Sequence, residues 1–304
     1  MSISDKVSEA VLSNSFVFLN KAIHELCSHD DSDDNPLEMD TAILSVSLIQ
    51  IAFELILIAY VVKMDGIRSI LNTKDCQKTD GEIENLFESN DLQTKIFNVL
   101  KSEVQDRHQL FNDDALYRIE SFQKIRNKLV HLHCNLYEGD RYDLKHELIY
   151  YIVHVIVPVL SHDNDSCFES MAVESSLDKK AFAKLISFPP YVEEMQKLAE
   201  QASTDVYKCI HCGHRTFAKE LDVCFACNYD YSDQEFANCD RCKKRNSIIF
   251  DHLNIEFNHN EARGLCPNCD EDDIIYKCPI CEETYAVEAS CGIDICYHDH
   301  CINC

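Results

Sequence analysis

The chain has 304 residues, 46% hydrophobic and 27% charged, with a formal net charge of −25. That length suits about two domains of roughly 150 residues, with at least one full-sized core. Carboxylates outnumber basic residues in both 1–200 and 201–304, which excludes a general nucleic-acid-coating protein, since phosphate binding runs on a surplus of Lys and Arg.

The start, MSISDKVSEAV, has no basic stretch before its apolar residues, so no secretory leader is expected, and a cytoplasmic setting follows. From 1 to 203 apolar residues recur at three and four, and breakers such as Pro36, Gly66, Gly81, Gly139, Pro158 and Pro189-Pro190 fall between the periodic runs. The spacing predicts an all-α domain with helices at 4–26, 38–64, 82–107, 113–136, 143–160, 172–186 and 190–203. The acidic stretch His29 to Asn35 reads as a solvated loop.

Within the second helix, Ala42 to Val62 is long enough to span a bilayer. Ser47, Gln50 and Glu54 interrupt it at i, i+3 and i+7, which places them on one face, and a mid-span charge is costly in lipid. We read a buried core helix with one polar stripe and no membrane span. The stripe is either a contact between helices or a functional carboxylate at Glu54.

The fourth helix carries Arg126-Asn127-Lys128-Leu129-Val130-His131-Leu132-His133. At 100° per residue, Phe122, Ile125, Leu129, Leu132 and Leu136 converge on a core stripe, with Arg126 at its edge and Asn127 and His131 on the far side. The bare spacing from Arg to His carries little weight, because it recurs at Arg141 to His146 in a stretch read as loop and helix start. The copy at Arg126 differs in having an asparagine next, a late position in a helix and the lead-in Phe122-Gln123-Lys124-Ile125.

An all-helical domain with R-N-x-x-x-H near the end of a core helix resembles the HEPN superfamily of ribonucleases, many of which serve bacterial toxin–antitoxin, phage-defence and RNA-processing systems. The resemblance covers about 1–200 in architecture and 122–133 in motif. It implies a HEPN-like helical bundle, an RNA substrate and a homodimer whose interface completes the site. The catalytic residues it implies are Arg126, Asn127 and His131, with Glu54 matching an acidic residue on an earlier helix. His133 is the other candidate histidine. The chemistry is coherent without metal: RNA carries its own 2′-OH nucleophile, a histidine moves the proton, and arginine's planar fork meets the phosphorane charge. Products would end in 2′,3′-cyclic phosphate. A position near a helix C-terminus favours protonated His131.

Near Lys208 the long helical runs stop, and the domain boundary is placed at 203–207. Of 18 cysteines, fourteen crowd into 209–304. They include six C-x-x-C pairs: Cys209/Cys212, Cys224/Cys227, Cys239/Cys242, Cys266/Cys269, Cys278/Cys281 and Cys301/Cys304. Two such knuckles complete a closed tetrahedral metal site, so pairing neighbours gives about three structural zinc ions in 207–304. A disulfide scaffold is disfavoured without a secretion signal, and iron is the weaker choice of metal. Cys291 and Cys296, near His298 and His300, remain over. Lys243-Lys244-Arg245 is the one basic cluster, a weak case for nucleic acid. Phe225, Tyr229, Tyr231, Phe236, Phe250 and Phe257 read as ribbon core, and the ribbons as docking sites for a target or a protein partner.

The expectation is a metal-independent endoribonuclease with zinc-ribbon docking modules. The alternatives are a non-catalytic HEPN-like dimerisation scaffold whose ribbons recruit protein partners, an unrelated helical domain, and a zinc-ribbon transcription regulator, which the negative charge disfavours.

Overall fold

A computed structural model of the chain describes residues 2–28, 36–131, 138–162, 169–232, 234–239, 241–250, 261–277 and 284–287. The chain divides into two units, Met1–Glu194 and Met195–Cys304.

The first unit is helical: α1 Ile3–Leu26, α2 Met39–Asp65, α3 Asp80–Glu88, α4 Phe97–His108, α5 Asp113–His131, α6 Glu138–Tyr151, α7 Val157–Ser161, α8 Glu169–Ser176, α9 Lys179–Leu185 and the start of α10, Pro189–Ala202. Ser2 and Asp5 form a reciprocal capping box that starts α1: the Asp5 N–H donates to Ser2 Oγ at 3.1 Å and the Ser2 N–H to Asp5 Oδ2 at 2.9 Å. Thr79 and Glu82 do the same for α3. Helix α2 is apolar around most of its circumference, so it is buried from several sides, with α1, α4, α5 and α6 against it. Its window and that of Asp143–Ser161 are long and apolar enough to cross a membrane by length and composition; 56% and 61% of these windows are buried within the protein.

Phe53, fully buried at mid-α2, organises the neighbours. It meets Phe97 of α4, Phe111 and Tyr151 of α6 edge-on, at centroid distances of 5.6, 6.1 and 5.5 Å. Tyr151 in turn stacks on Phe122 of α5 at 4.1 Å. Such aromatic pairs add directional preference to ordinary burial, and here they hold α4 and α5 beside the polar stripe of α2.

Three helix predictions are corrected. The run at 82–107 is broken between α3 and α4, where Asn90 adopts a left-handed φ of 59° and the chain doubles back so that Leu71 bridges to Thr94. The run at 172–186 is broken by Asp178, whose Oδ1 accepts from the N–H groups of Lys180 and Ala181 at 2.9 and 2.8 Å and so starts a new helix. The run at 143–160 begins earlier, at Glu138, so Arg141 and His146 both lie within α6 rather than across a loop. Beyond Tyr151 it widens into a π-helical stretch, Ile152–Ile156, before Pro158 in the first turn of α7. Proline brings no N–H and crowds the preceding turn, and the wider turn accommodates it.

The second unit is a β-sheet region bearing the cysteine clusters. The expected domain boundary at 203–207 lies a little further along than the division at Met195. The last turns of α10 belong to this unit, where Ala199 packs with Val206 and Ala218. Strands β1 Val206–Tyr207, β2 Phe217–Ala218 and β3 Val223–Cys224 form one antiparallel sheet. Strands β4 Glu235–Ala237, β5 Ile248–Phe250, β6 Glu261–Cys266, β7 Glu271–Lys277 and β8 Thr284–Val287 form an antiparallel meander in sequence order. The second sheet is larger than the small knuckle modules expected. Of the aromatic residues assigned to ribbon core, Tyr231 and Phe250 are buried, Phe225 packs at the edge of the first sheet's cluster, and Phe257 lies outside the described residues.

Gly264 sits in β6 opposite Phe250 and Asp273. A Cβ there would stand 2.4 Å from Ile248 Cγ2 and 2.8 Å from Ile275 Cγ1, both in the sheet's core cluster, with Ile249 O at 3.3 Å. Gly264→Ala is therefore expected to destabilise the second unit by about 1–3 kcal/mol, the usual cost of overpacking. Denaturant unfolding followed through tyrosine emission checks this, and unchanged stability would show that the sheet yields at that point.

Candidate active site and metal centres

The polar stripe of α2 opens onto a cavity of about 540 Å³ in the helical unit. Gln50, Glu54 and Ile58 of α2 form one wall, Thr94 to Asn98 and Leu100 a second, and Gln123, Arg126 and Asn127 of α5 the third. Two sequence-derived candidates, Arg126 and Asn127, thus share a solvent-accessible space with Glu54, about seventy residues away in the chain. Ser47 does not join them; its hydroxyl donates to Ile43 O at 2.7 Å within its own helix.

Arg126 is half-buried and Asn127 exposed. Arg126 Nη1 donates to Asn127 Oδ1 at 3.1 Å. Across the cavity Gln50 Nε2 donates to Glu54 Oε1 at 2.7 Å. Lys95, on the second wall, is held by both oxygens of Glu103 at 2.9 and 2.7 Å. The cavity therefore has a carboxylate on one side and a guanidinium on another. His131 is the last residue of α5, one turn beyond Asn127; Leu132, His133 and Leu136 lie outside the described residues. The second R-x4-H copy is occupied differently, since Arg141 Nη1 donates to Leu37 O at 2.9 Å and His146 lies 3.9 Å from Glu193.

Behind Glu54, the Tyr151 hydroxyl is buried without a hydrogen-bond partner. Burial pushes its ionisation well above the ordinary phenol range, and the Glu54 charge adds to this. A second cavity, about 350 Å³, lies along the other side of α5 beside Arg118 and Glu147. Its arginine is committed to Glu147 at 3.2 Å and to the face of Tyr150 at 4.2 Å.

The sequence did not single out Lys95 or Asn98, and Gln123 entered only as part of the lead-in to Arg126. The first two sit in a stretch predicted as mid-helix, and only the break after Asn90 exposes them. The signal for Gln50 was present: an amide and a carboxylate at i and i+4 in an otherwise apolar helix.

In the second unit the cysteines converge as neighbouring pairs. Cys209, Cys212, Cys224 and Cys227 form one group, and Cys239, Cys242, Cys266 and Cys269 the other, with all ligand atoms of a group within 4.8 Å of one another. Sulfur separations are 3.6 Å for Cys209–Cys227, 3.8 Å for Cys212–Cys224, 3.8 Å for Cys239–Cys269 and 3.7 Å for Cys242–Cys266. These are far longer than a disulfide of about 2.05 Å. They match the edge of about 3.8 Å expected for a tetrahedral ion with sulfur bonds of about 2.3 Å. Each group can therefore hold one metal ion. The third expected set, Cys278, Cys281, Cys301 and Cys304, lies outside the described residues, as do Cys291, Cys296, His298 and His300.

One backbone device recurs in all four described knuckles. The residue directly after the second cysteine takes a left-handed φ: Gly213 79°, Asn228 57°, Lys243 60° and Asp270 58°. In three of them its N–H returns to the carbonyl of the first cysteine, at 2.8 Å for Gly213, 2.9 Å for Asn228 and 2.8 Å for Asp270. Glycine, asparagine and aspartate tolerate that region best; Lys243 occupies it inside the basic cluster. Lys244 of that cluster pairs with Asp205 at 2.8 Å.

The two centres differ in their surroundings. At the first, Cys209 Sγ accepts from the Tyr231 hydroxyl at 3.1 Å and the His211 N–H at 3.3 Å, while Thr216 Oγ1 lies 3.2 Å from Cys224 Sγ. Hydrogen bonds from Cys212, Cys224 and Cys227 hold the Cys209 thiol far below the ordinary range, while Cys212 and Cys227 are driven up. At the second, burial opposes ionisation of Cys242, but hydrogen bonds from the Asn268 side chain and the Lys244 N–H outweigh it and bring Cys242 down to about 7. Removing the fully buried Tyr231 hydroxyl with Tyr231→Phe is expected to weaken metal at the first centre roughly 10- to 100-fold, the usual cost of losing such an outer partner. Competition with a chromogenic chelator reads this, and an unchanged first centre would remove the assigned role of Tyr231.

No family model matches this chain, and no curated protein or solved structure matches it.

Proposed function

We propose that the helical unit is a metal-independent endoribonuclease of HEPN type. In this reading the cysteine-rich unit carries structural zinc and docks a target RNA or a protein partner. The observation that supports it best is the shared cavity of Arg126, Asn127 and Glu54.

Arg126 offers its fork to the scissile phosphate and stabilises the charge of the phosphorane as it develops. Asn127 pins one arm of that fork at 3.1 Å and limits the freedom lost on binding. His131 takes the 2′-OH proton or returns one to the leaving 5′-oxygen. One histidine serves both steps poorly, so a second copy of the chain would supply the other. Zinc is the metal of choice because two closed sets of four thiolates suit it, and a closed set leaves no position for a catalytic water.

The test compares the wild-type chain with His131→Ala on tRNA and total RNA, without added divalent metal. Loss of a proton-transfer group costs roughly 10²- to 10⁴-fold. Cleavage should fall by that factor, with 2′,3′-cyclic phosphate ends in the wild-type products. Equal cleavage by both proteins, or none by either, overturns the proposal and leaves the helical unit as a scaffold.

A further inference from the structure

Asp205 and Lys208 flank β1, the two-residue strand Val206–Tyr207 that leads into Cys209 of the first centre. Both residues reach the second centre. Lys208 Nζ donates to both carboxylate oxygens of Asp270 at 2.9 and 3.0 Å, and the Lys208 N–H donates to Pro267 O at 3.3 Å. Pro267 lies inside the knuckle from Cys266 to Cys269, and Asp270 is the left-handed residue that closes it. Asp205 Oδ1 accepts from Lys244 Nζ at 2.8 Å. Lys244 closes the other knuckle, where its carbonyl accepts the Cys239 N–H at 3.0 Å. The two ends of one short strand therefore grip both knuckles of the other centre. An aromatic contact runs beside this clasp. Phe217 of β2 is fully buried and stacks on Phe236 of β4 at 6.1 Å, with Lys219 Nζ 3.6 Å from the centre of the Phe236 ring.

The clasp charges are partly exposed, and an exposed ion pair contributes little by itself. Their effect lies in when they can form. Strand β1 is only two residues long and runs straight into a ligand cysteine, so it is ordered while the first centre is closed. Lys244 and Asp270 are fixed while the second centre is closed, because each ends one of its knuckles. Whichever centre closes first holds its half of the clasp in place, and the second closure then has fewer groups left to order. We propose that the two metal centres load as a coupled pair, metal at either one raising the affinity of the other through the β1 clasp. Linkage makes the effect reciprocal. The cysteine-rich unit then answers to the supply of a thiolate-binding divalent cation as one body rather than as two separate ribbons. The proposal rests on the reading of both cysteine groups as metal centres.

The experiment loads the full chain with cadmium, which gives one NMR line per site of four thiolates, and titrates EDTA against it. Cys212→Ser and Cys266→Ser assign the lines of the first and second centres. In the wild-type chain both lines are expected to fade over the same range of EDTA. In Cys212→Ser the line of the second centre should fade at about tenfold less EDTA, a coupling of the usual size between linked sites. Asp205→Lys with Lys208→Asp reverses both ion pairs and alters no ligand. It should make the two lines fade independently, each at lower EDTA than in the wild type. Adding Lys244→Asp and Asp270→Lys restores both pairs in the opposite sense and should bring back the joint loss. A second-centre line unmoved by Cys212→Ser overturns the coupling. Charge reversals without effect, or no recovery in the fourfold variant, overturn the clasp as its route even if Cys212→Ser unfolds the whole unit. The two readings separate: a chain that takes up no cadmium removes the metal centres themselves, whereas two lines that fade independently in the wild type keep the centres and remove the coupling.

Discussion

Stripping metal from the intact chain is expected to collapse the cysteine-rich unit while the helical signal persists. The strands of the first sheet are two residues long, and beside the small cluster of Ala199, Val206 and Ala218 its large buried side chains are Tyr207, Phe217 and Tyr231. The second cluster holds Ala237, Cys239, Ile248, Phe250, Cys266 and Ile275, so cysteines are themselves part of the core. So few large side chains cannot offset the conformational entropy of ordering the segment, about 1–2 kcal/mol per residue for backbone alone. A structural zinc ion contributes about 10–16 kcal/mol in small domains, and that free energy is available only while the thiolates are gathered. Two ions should leave with the two described groups. Chelation should make residues after 203 open to protease and quench tyrosine circular dichroism there. Cys266→Ser should weaken the second centre most. Protease resistance that survives complete chelation would show that the sheets stand without metal.

Arg126→Ala is expected to lower RNA cleavage by about 10²- to 10³-fold, the range seen when one preorganised donor to a developing oxyanion is lost. The effect should fall on turnover more than on binding, because the added charge exists only as the phosphorane forms. Arg126→Lys should recover part of the rate, since it restores charge without the two-pronged geometry. Stability should change little, as Arg126 is half-exposed and lines a cavity rather than a core. Single-turnover cleavage at saturating protein measures the step, with thermal unfolding as the control. A fully active Arg126→Ala protein would place the chemistry elsewhere.

The sequence by itself determined what local spacing can determine. Periodicity at three and four located most helices, because an amphipathic stripe is a property of neighbouring residues. The C-x-x-C spacing gave the correct neighbour pairing for both described groups, Cys209/Cys212 with Cys224/Cys227 and Cys239/Cys242 with Cys266/Cys269, because each knuckle is a closed local turn. The breaks at Asn90 and Asp178 were missed for the converse reason. A single left-handed residue or a capping carboxylate ends a helix, and the apolar pattern runs on past it.

Tertiary structure alone decided which distant residues meet. Phe53, Phe122 and Tyr151 pack α2, α5 and α6 together, and that packing puts Arg126 and Asn127 over the same cavity as Gln50 and Glu54. Nothing in either segment encodes the other. The same holds for the Tyr231 hydroxyl on Cys209, a contact made only once the first sheet has closed. Contacts of this kind depend on the summed packing of whole elements, which no short window of residues contains.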